Sequence, residues 1–322
     1  MNVKSHTTRE TILSVNGWID QNSEHIVNFL KKIVSTPSVT GEETEIQQIM
    51  SEKMKQIGLR VDMWEPDLEQ LRQHPSCIPV DYHHYENRKN VVGIWQGKGN
   101  GKSLLLNGHV DVVPAGPEQL WEFGPWSAVI QNGQMYGRGT SDMKGGVASM
   151  IYAVEAIRSI GVHLKGDLII ESVVDEEAGG NGTLSACLRG YKADAAIVPE
   201  PTQLNICPAH RGAQFFRVNV WGKGAHAGLR FEGVSALEKA QILINAIRQL
   251  ENERDRVARK NILYAQYPIA SPITIGKLVS GVWPAMVPEE CTFEGMIDIM
   301  PGESISRIRE QFKQCIEQTA SK

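Results

Sequence analysis

The sequence lacks an excess of positive charge, and this absence limits the partners that the protein can bind. Its 33 Lys and Arg residues are outnumbered by 37 Asp and Glu residues, which gives a formal net charge of −4. Proteins that bind nucleic acid or anionic membranes through charge carry the opposite balance. The sequence also has no run of the roughly 18 apolar residues that span a bilayer. We therefore expect no nucleic acid and no membrane as a partner.

Cysteine pairs of the CxxC type are absent as well. The five cysteines are Cys77, Cys187, Cys207, Cys291 and Cys315. An odd number at wide spacing is typical of reduced thiols in the cytosol and argues against a disulfide framework. The first residues, MNVKSHTTRETILSVNGW, are polar and lack the apolar core of a signal peptide. These features predict a cytoplasmic protein whose cysteines are not catalytic.

The first two thirds of the chain predict an α/β fold. The length of 322 residues is enough for two domains. Apolar residues recur with helical spacing in three segments, 23–33, 42–57 and 145–160. Short apolar runs predict four strands that are buried on both faces, 91–95, 104–106, 168–174 and 195–198. Buried strands that alternate with helices predict a mostly parallel sheet, with ligands beyond the carboxyl ends of its strands. Residues 65–90 show no clean period and are interpreted as a surface insertion.

The pattern changes near Pro208. Predicted strands over 215–220, 273–278 and 292–299 are combined with amphipathic helices over 235–250 and 304–316. This β-α-β-β-α order predicts a small α+β domain with helices on one face of an antiparallel sheet. We therefore expect one domain over residues 1–208 and a second domain over residues 209–322.

The octapeptide NGHVDVVP at 107–114 ends one predicted strand with His109 and Asp111. Side chains two positions apart lie on the same face of a strand, so both are candidates for one site. A hydrogen-bonded loop histidine beside a helix-capping aspartate explains this octapeptide alone equally well. A metal site needs further nitrogen and oxygen donors at neighbouring strand ends.

Such donors follow other predicted strands. Asp142 lies in the glycine-rich turn GRGTSDMKGG, three carboxylates follow LIIESVV as Asp175, Glu176 and Glu177, and Glu200 follows AAIVP. Each of these has a simpler explanation when it is taken singly. Asp142 could cap the N-terminus of a helix, the three adjacent carboxylates could form an acidic surface turn, and Glu200 could lie in an exposed loop. Three adjacent carboxylates raise one another's pKa unless a cation is near. Together these donors favour a metal site.

The four motifs, HxD, GRGxxDMKGG, DEE and EPT, resemble in order those of the zinc-dependent deacylases. That family includes acetylornithine deacetylase, succinyl-diaminopimelate desuccinylase, aminoacylase and a glutamate-releasing carboxypeptidase. The resemblance covers nearly the whole chain and implies a hydrolase that cleaves the amide bond of a small N-acylated amine or amino acid. It also implies a catalytic domain with an inserted lid and dimerisation domain.

The resemblance implies a role for each candidate residue. His109 and Glu200 would bind the first of two Zn²⁺ ions, Asp142 would bridge both ions, and Glu177 would bind the second. Glu176 would be the general base that activates water. Asp111 would orient His109 through its far ring nitrogen, and a cis peptide bond would follow Asp142. A mixed histidine and carboxylate site also accepts Co²⁺ or Mn²⁺.

Two further residues are implied in the second domain. His226, in WGKGAHAG, would stabilise the oxyanion of the tetrahedral intermediate in the partner subunit. The resemblance thus implies a homodimer built through residues 209–322, with closure of the lid gating the reaction. Arg211, in HRGAQ, lies where the family often has an arginine.

The family's last zinc ligand is a histidine near the carboxyl terminus, and no histidine follows His226 here. The final strand of the second domain is also missing, so we interpret the sequence as a truncated chain. Two alternatives stay open. One is an exopeptidase with the same metal core, against which Glu200 argues because the family's dipeptidases and tripeptidases more often have aspartate there. The other is a non-catalytic dimerising or small-molecule-binding module, which the intact Glu176 and Glu177 disfavour.

The first prediction concerns the substrate carboxylate, which family deacylases commonly bind through an asparagine and an arginine of the lid. The corresponding stretches here, GVWPAMVPEE and GMIDIMPGES, have neither, and Ala285 or Met286 stands in their place. Without a cation at this position, N-acyl amino acids and their amides should be hydrolysed at similar rates. A strong preference for the free acids in steady-state assays would contradict this.

Overall fold

The computed structural model describes residues 8–78 and 84–321. Its contacts divide the chain into two compact units, Met1–Asn205 and Ile206–Lys322. The sequence predicted a division between residues 208 and 209. The assignment of the two parts to a catalytic and a lid domain stays a prediction.

The first unit alternates helices and strands, as the apolar runs predict. Its described α-helices are α1 (Thr8–Gln21), α2 (Ser23–Ser35), α3 (Thr44–Gln56), α4 (Leu68–Arg72), α5 (Gly145–Ser159) and α6 (Asn181–Leu188). Its described strands are β1 (Arg60–Trp64), β2 (Asn90–Trp95), β3 (Leu104–His109), β4 (Val129–Gln131), β5 (Gln134–Tyr136), β6 (Leu168–Val173) and β7 (Ala195–Ile197).

The described residues form a central sheet with the strand order β1-β2-β6-β3-β7. Strands β6, β3 and β7 are parallel neighbours, whereas β2 is antiparallel to both β1 and β6. Four of the five strands therefore run in one direction, and the predicted mostly parallel α/β fold is confirmed. The reversal at β2 was not predicted, because a strand buried on both faces has the same apolar pattern in either direction.

Helices α2, α3 and α5 bury their apolar residues in one core with the sheet. Ile33 of α2, Met50 of α3, Ile151 of α5 and Ile170 of β6 are each fully buried in it. The helical spacing of apolar residues in the sequence corresponds to these buried faces. The apolar run of β6 is buried along its whole length, which fixes the point where the acidic residues after it leave the core.

The interpretation of residues 65–90 as a surface insertion is wrong for part of that segment. Leu71, Tyr85 and Arg88 are at most 5% exposed, and Leu71 and Tyr85 pack with Val174. Residues 79–83 of the segment lie outside the described residues. Hydrophobic periodicity did not reveal this burial, because the buried residues of the segment include an arginine and a tyrosine and do not form a regular apolar series.

The second unit is an antiparallel sheet covered by two long helices. Its described strands are β8 (Gly212–Trp221), β9 (Ala225–His226), β10 (Ile273–Ser280), β11 (Met286–Val287) and β12 (Glu290–Ile299), and its α-helices are α7 (Ala236–Ala258) and α8 (Ile305–Ala320). The strand order is β10-β12-β8, and a separate short pair joins β9 to β11. Both helices contribute to one apolar cluster with this sheet.

Helix α7 extends eight residues beyond its predicted end at residue 250. Arg254, near its carboxyl end, is 6% exposed and donates to the carbonyl of Asp298 and the carboxylate of Glu303. Because this buried face is polar, hydrophobic periodicity did not reveal the last turns of the helix. Among the described residues, no helix has both the length and the apolar character needed to cross a bilayer.

The second prediction uses the close approach of Gly146, at the start of α5, to Pro199. A Cβ atom at Gly146 would overlap the carbonyl oxygen of Pro199, whereas one at Gly17 in α1 would meet no atom within 4 Å. We expect Gly146→Ala to lower the free energy of unfolding by about 1–3 kcal/mol through overpacking. Gly17→Ala should leave it unchanged or slightly raised, since alanine favours helix. Urea unfolding measures both, and equal midpoints for the two variants would contradict the packing described.

Candidate metal centre

The candidate residues meet at one edge of the central sheet. His109 is the last residue of β3, Glu176 and Glu177 follow β6, and Glu200 follows β7. These three strands are parallel neighbours, so their carboxyl ends lie side by side. Asp142 reaches the same place from the turn that precedes α5. Three strand ends and one turn thus bring five donors from distant parts of the chain to a single location.

His109, Asp142 and Glu177 each offer one ligand atom, and these atoms all lie within 4.8 Å of one another. The Nε2 atom of His109 lies 3.1 Å from an oxygen of Asp142, 3.6 Å from one of Glu200 and 3.8 Å from one of Glu176. Three carboxylates therefore lie within 3.8 Å of one imidazole nitrogen, and the fourth, that of Glu177, lies within 4.8 Å of a ring nitrogen of His109.

The far side of the His109 ring is held by the backbone. Its Nδ1 atom lies 2.9 Å from the carbonyl oxygen of Asp111 and 3.6 Å from the carboxylate of the same residue. Because a carbonyl oxygen only accepts hydrogen bonds, Nδ1 carries the proton and Nε2 is directed at the carboxylates. A backbone carbonyl is a usual partner for the second nitrogen of a metal-binding histidine. The sequence predicted the Asp111 side chain for this contact, whereas the structure places its carbonyl closer.

The Asp111 carboxylate makes different contacts. One oxygen accepts the backbone N–H of Glu176 at 3.1 Å, and the other accepts the backbone N–H of Glu177 at 3.2 Å. The hydroxyl of Thr40 donates to it as well, at 2.9 Å. Asp111 is fully buried. It therefore connects the histidine at the end of β3 to the acidic loop after β6.

The electrostatics of the cluster favour a bound cation. Burial disfavours a charged imidazole, but the carboxylates of Asp111, Asp142 and Glu176 more than offset burial and raise the pKa of His109 to about 11. Burial together with the charge of Asp142 raises the pKa of Glu177 to about 7. Glu200 behaves in the same way, and burial raises its pKa to about 7. A proton thus partly neutralises a site that a bound cation would neutralise more completely.

The donor set fits a divalent metal ion. One imidazole nitrogen and several carboxylate oxygens are the ligands that zinc accepts, and other divalent ions accept them as well. The Asp142 and Glu176 side chains are 55% and 46% exposed, so the centre is open to small molecules on one side. The peptide bond between Asp142 and Met143 is cis, which confirms the expectation from the sequence.

Lys144 is a component of the GRGTSDMKGG motif that the sequence did not single out. Its side chain is fully buried, and its Nζ atom donates to the carbonyl of Thr36 at 3.0 Å. Burial lowers the pKa of Lys144 to about 7, while the nearby charge of Asp111 opposes this shift. A sequence gives no signal for such a residue, because lysine is usually exposed.

The predicted residues of the second unit lie apart from this cluster in the chain. His226 is on β9, opposite Met286 of β11, and its Nδ1 atom accepts the backbone N–H of Gly228 at 3.1 Å. Arg211 pairs with Asp298 at 2.9 Å and donates to the carbonyl of Ala270. These contacts stabilise the second unit, and the role predicted for His226 stays a prediction.

Comparisons with known proteins agree with this description. The chain is 29% identical to an N-formyl-4-amino-5-aminomethyl-2-methylpyrimidine deformylase of Bacillus subtilis (strain 168), over 93% of this chain and 68% of that protein. It is 30% identical to a succinyl-diaminopimelate desuccinylase of Leptothrix cholodnii over 62% of this chain and 51% of that protein. The chain thus spans about two thirds of the length of the deformylase and about half of the length of the desuccinylase.

Solved structures share the fold. The dipeptidase Dug1p of Saccharomyces cerevisiae has a TM-score of 0.74 at 18% identity, over 96% of this chain and 76% of that chain. The family described as peptidase family M20/M25/M40 matches residues 105–320, a range that includes every candidate ligand. The chain belongs to the M20 family of metal-dependent hydrolases.

Proposed function

We propose that the protein is a metal-dependent deacylase that hydrolyses the amide bond of a small N-acylated amine. The observation that carries this proposal is the cluster of three carboxylates within 3.8 Å of Nε2 of His109, together with the ligand atoms of His109, Asp142 and Glu177 within 4.8 Å of one another. Two deacylases, a deformylase and a desuccinylase, are among the relatives of the chain.

The residues that would hold the metal are those predicted from the sequence. His109, Asp142 and Glu200 would bind one ion, and Asp142 and Glu177 would contribute to a second. When bound, such ions polarise the acyl carbonyl and lower the pKa of water towards neutrality. We propose zinc as the metal, since one histidine with carboxylates suits it.

Glu176 is the general base in this proposal. Its carboxylate lies 3.8 Å from Nε2 of His109 and is not one of the three clustered ligand atoms, so we assign it to proton transfer rather than to the metal. It would take a proton from the attacking water as the carbon–oxygen bond forms. It would then give that proton to the amine nitrogen as the carbon–nitrogen bond breaks, leaving a carboxylic acid and an amine.

The proposed substrate is a neutral N-acyl amine rather than an N-acyl amino acid. Neither Ala285 nor Met286 carries a charge that would bind a substrate carboxylate. The Bacillus subtilis relative is named as a deformylase of an aminomethylpyrimidine, a substrate whose name includes no carboxylate. An N-formyl aminomethylpyrimidine is therefore the first candidate to test.

We also propose that the protein forms a homodimer through residues 209–322 and that His226 stabilises the oxyanion of the reaction. Large apolar side chains are exposed on the second unit, among them Phe231, Val282 and Trp283, which are at least 65% exposed. Apolar exposure of this extent is typical of interaction surfaces. The imidazole of His226 is also exposed, with its ring held by Gly228.

The third prediction tests the general base. Glu176→Gln removes the proton acceptor but keeps the shape of the side chain, so kcat should fall by about 10²–10⁴-fold. Zinc bound per chain, measured by atomic emission, should stay at the parent value. The matched control is Glu52→Gln, an exposed change on α3, which should leave both quantities unchanged. A Glu176→Gln protein with parental kcat would overturn the proposal.

The fourth prediction tests the substrate class with a panel of formyl, acetyl and succinyl derivatives of aminomethylpyrimidine, of amino acids and of dipeptides. We expect the highest kcat/KM for a formyl derivative without a carboxylate, because no cation of the chain is proposed to bind one. Release of the free amine, followed by chromatography, measures each rate. Faster hydrolysis of dipeptides than of any acylated amine would instead support an exopeptidase.

A further inference from the structure

The acidic loop, residues 174–182, carries both Glu176 and Glu177, and its conformation is strained at the residue before them. Asp175 is fully buried and has a φ of 66°. This left-handed region is uncommon for residues other than glycine, and it is kept only where the surroundings enforce it. The contacts of Asp175 therefore decide where the two glutamates point.

Two side chains from the end of the segment 65–90 bind the Asp175 carboxylate. Arg88 donates to one oxygen at 3.0 Å, and the hydroxyl of Tyr85 donates to the other at 2.8 Å. Arg88 is itself fixed by two hydrogen bonds to the buried carboxylate of Glu43, at 2.6 and 2.7 Å. All four side chains are at most 5% exposed, so water does not weaken these charge-assisted hydrogen bonds.

The same segment holds both ends of the acidic loop. The Asn90 side chain accepts the backbone N–H of Val174 at 3.1 Å and donates to the carbonyl of Gly182 at 2.7 Å. Ile78 exchanges two hydrogen bonds with the side chain of Asn181, at 3.0 and 3.1 Å. The loop is thus bound at its start, at its strained residue and at its end.

We propose that Arg88, supported by Glu43 and Tyr85, is a positioning residue for Glu176. This inference rests on the proposed role of Glu176 as the general base. Arg88 holds Asp175 in its left-handed conformation from one side of the loop. On the other side, the Asp111 carboxylate accepts the N–H groups of Glu176 and Glu177. The two interactions together set the direction in which the Glu176 carboxylate leaves the backbone.

Arginine suits this position better than lysine would. A planar guanidinium donates to two carboxylates at fixed angles, whereas an ammonium group acts as a point charge and cannot keep both geometries. Arg88→Lys keeps the charge of the buried network but loses the fixed fork of donors, including the one to the carbonyl of His84 at 2.9 Å. Tyr85→Phe removes a single hydroxyl and leaves the ion pairs in place.

The matched control is Arg189→Lys. Arg189 also makes two hydrogen bonds to one carboxylate, at 2.7 and 3.0 Å, but that carboxylate belongs to Asp62 on β1 and not to the acidic loop. It belongs to the same unit, so a general effect of losing an arginine pair would appear in it as well.

The test combines two measurements on these variants. Hydrogen–deuterium exchange of the metal-free protein should show faster exchange within residues 174–182 for Arg88→Lys, and parental exchange in the rest of the first unit. At saturating zinc, with the best substrate of the panel, kcat should fall by about 10–100-fold. KM should change by less than about threefold, as for an interaction made in the transition state. Tyr85→Phe should also speed exchange of the loop, and its kcat should fall by about 3–10-fold. Arg189→Lys should change neither the exchange of the loop nor kcat.

Parental kcat and parental exchange of the loop in Tyr85→Phe would overturn the inference, as would faster exchange spread evenly over the first unit. If Arg88→Lys fails to fold, Tyr85→Phe decides alone. An inactive Glu176→Gln with unaffected Tyr85→Phe and Arg88→Lys proteins would contradict this inference only. An active Glu176→Gln would contradict the proposed function, while the exchange measurement would still report whether the loop is held as described.

Discussion

Repulsion among carboxylates at one strand edge is the constraint on which this structure depends. Three acidic side chains lie within 3.8 Å of Nε2 of His109, and the ring is buried with only 1% exposure. Oxygens of two carboxylates, Asp142 and Glu177, lie within 4.8 Å of each other, and a proton or a metal ion relieves the repulsion between such like charges. The carboxylates raise the pKa of His109 against the effect of burial, whereas burial raises the pKa of Glu177 and Glu200, with a smaller contribution from the neighbouring carboxylates. A fold that maintains this crowding without a cation would lose stability for no gain.

Buried polar contacts of two aspartates, Asp111 and Asp175, hold the carboxylates of the site close together. Asp111 binds the acidic loop through its carboxylate and the His109 ring through its carbonyl. Asp175 is bound to Arg88 and Tyr85 on the opposite side. Neither aspartate is a candidate ligand, yet each fixes residues that are. Buried, fully hydrogen-bonded groups of this kind hold a site in one arrangement more firmly than exposed ones.

Most members of the cluster could be predicted because they follow apolar strands, whereas Asp142 was a candidate from its glycine-rich turn and from the family resemblance. His109, Glu177 and Glu200 each come after a run that periodicity identifies, and parallel strands bring such ends together. Contacts through the backbone carry no such signal, so the Asp111 carbonyl was not predicted as the partner of His109. Arg88 and Tyr85 were missed because polar residues without a period suggest a surface segment, although both are buried. The last turns of α7 were missed for the same reason at Arg254.

Zinc-edge anomalous diffraction from crystals grown with zinc would show whether this cluster binds a divalent metal ion. We expect an anomalous peak about 2.0–2.2 Å from Nε2 of His109 and from an oxygen of Asp142. A zinc-containing crystal with no peak at this position, and with His109 still bound directly to Asp142 at 3.1 Å, would contradict the proposed metal site.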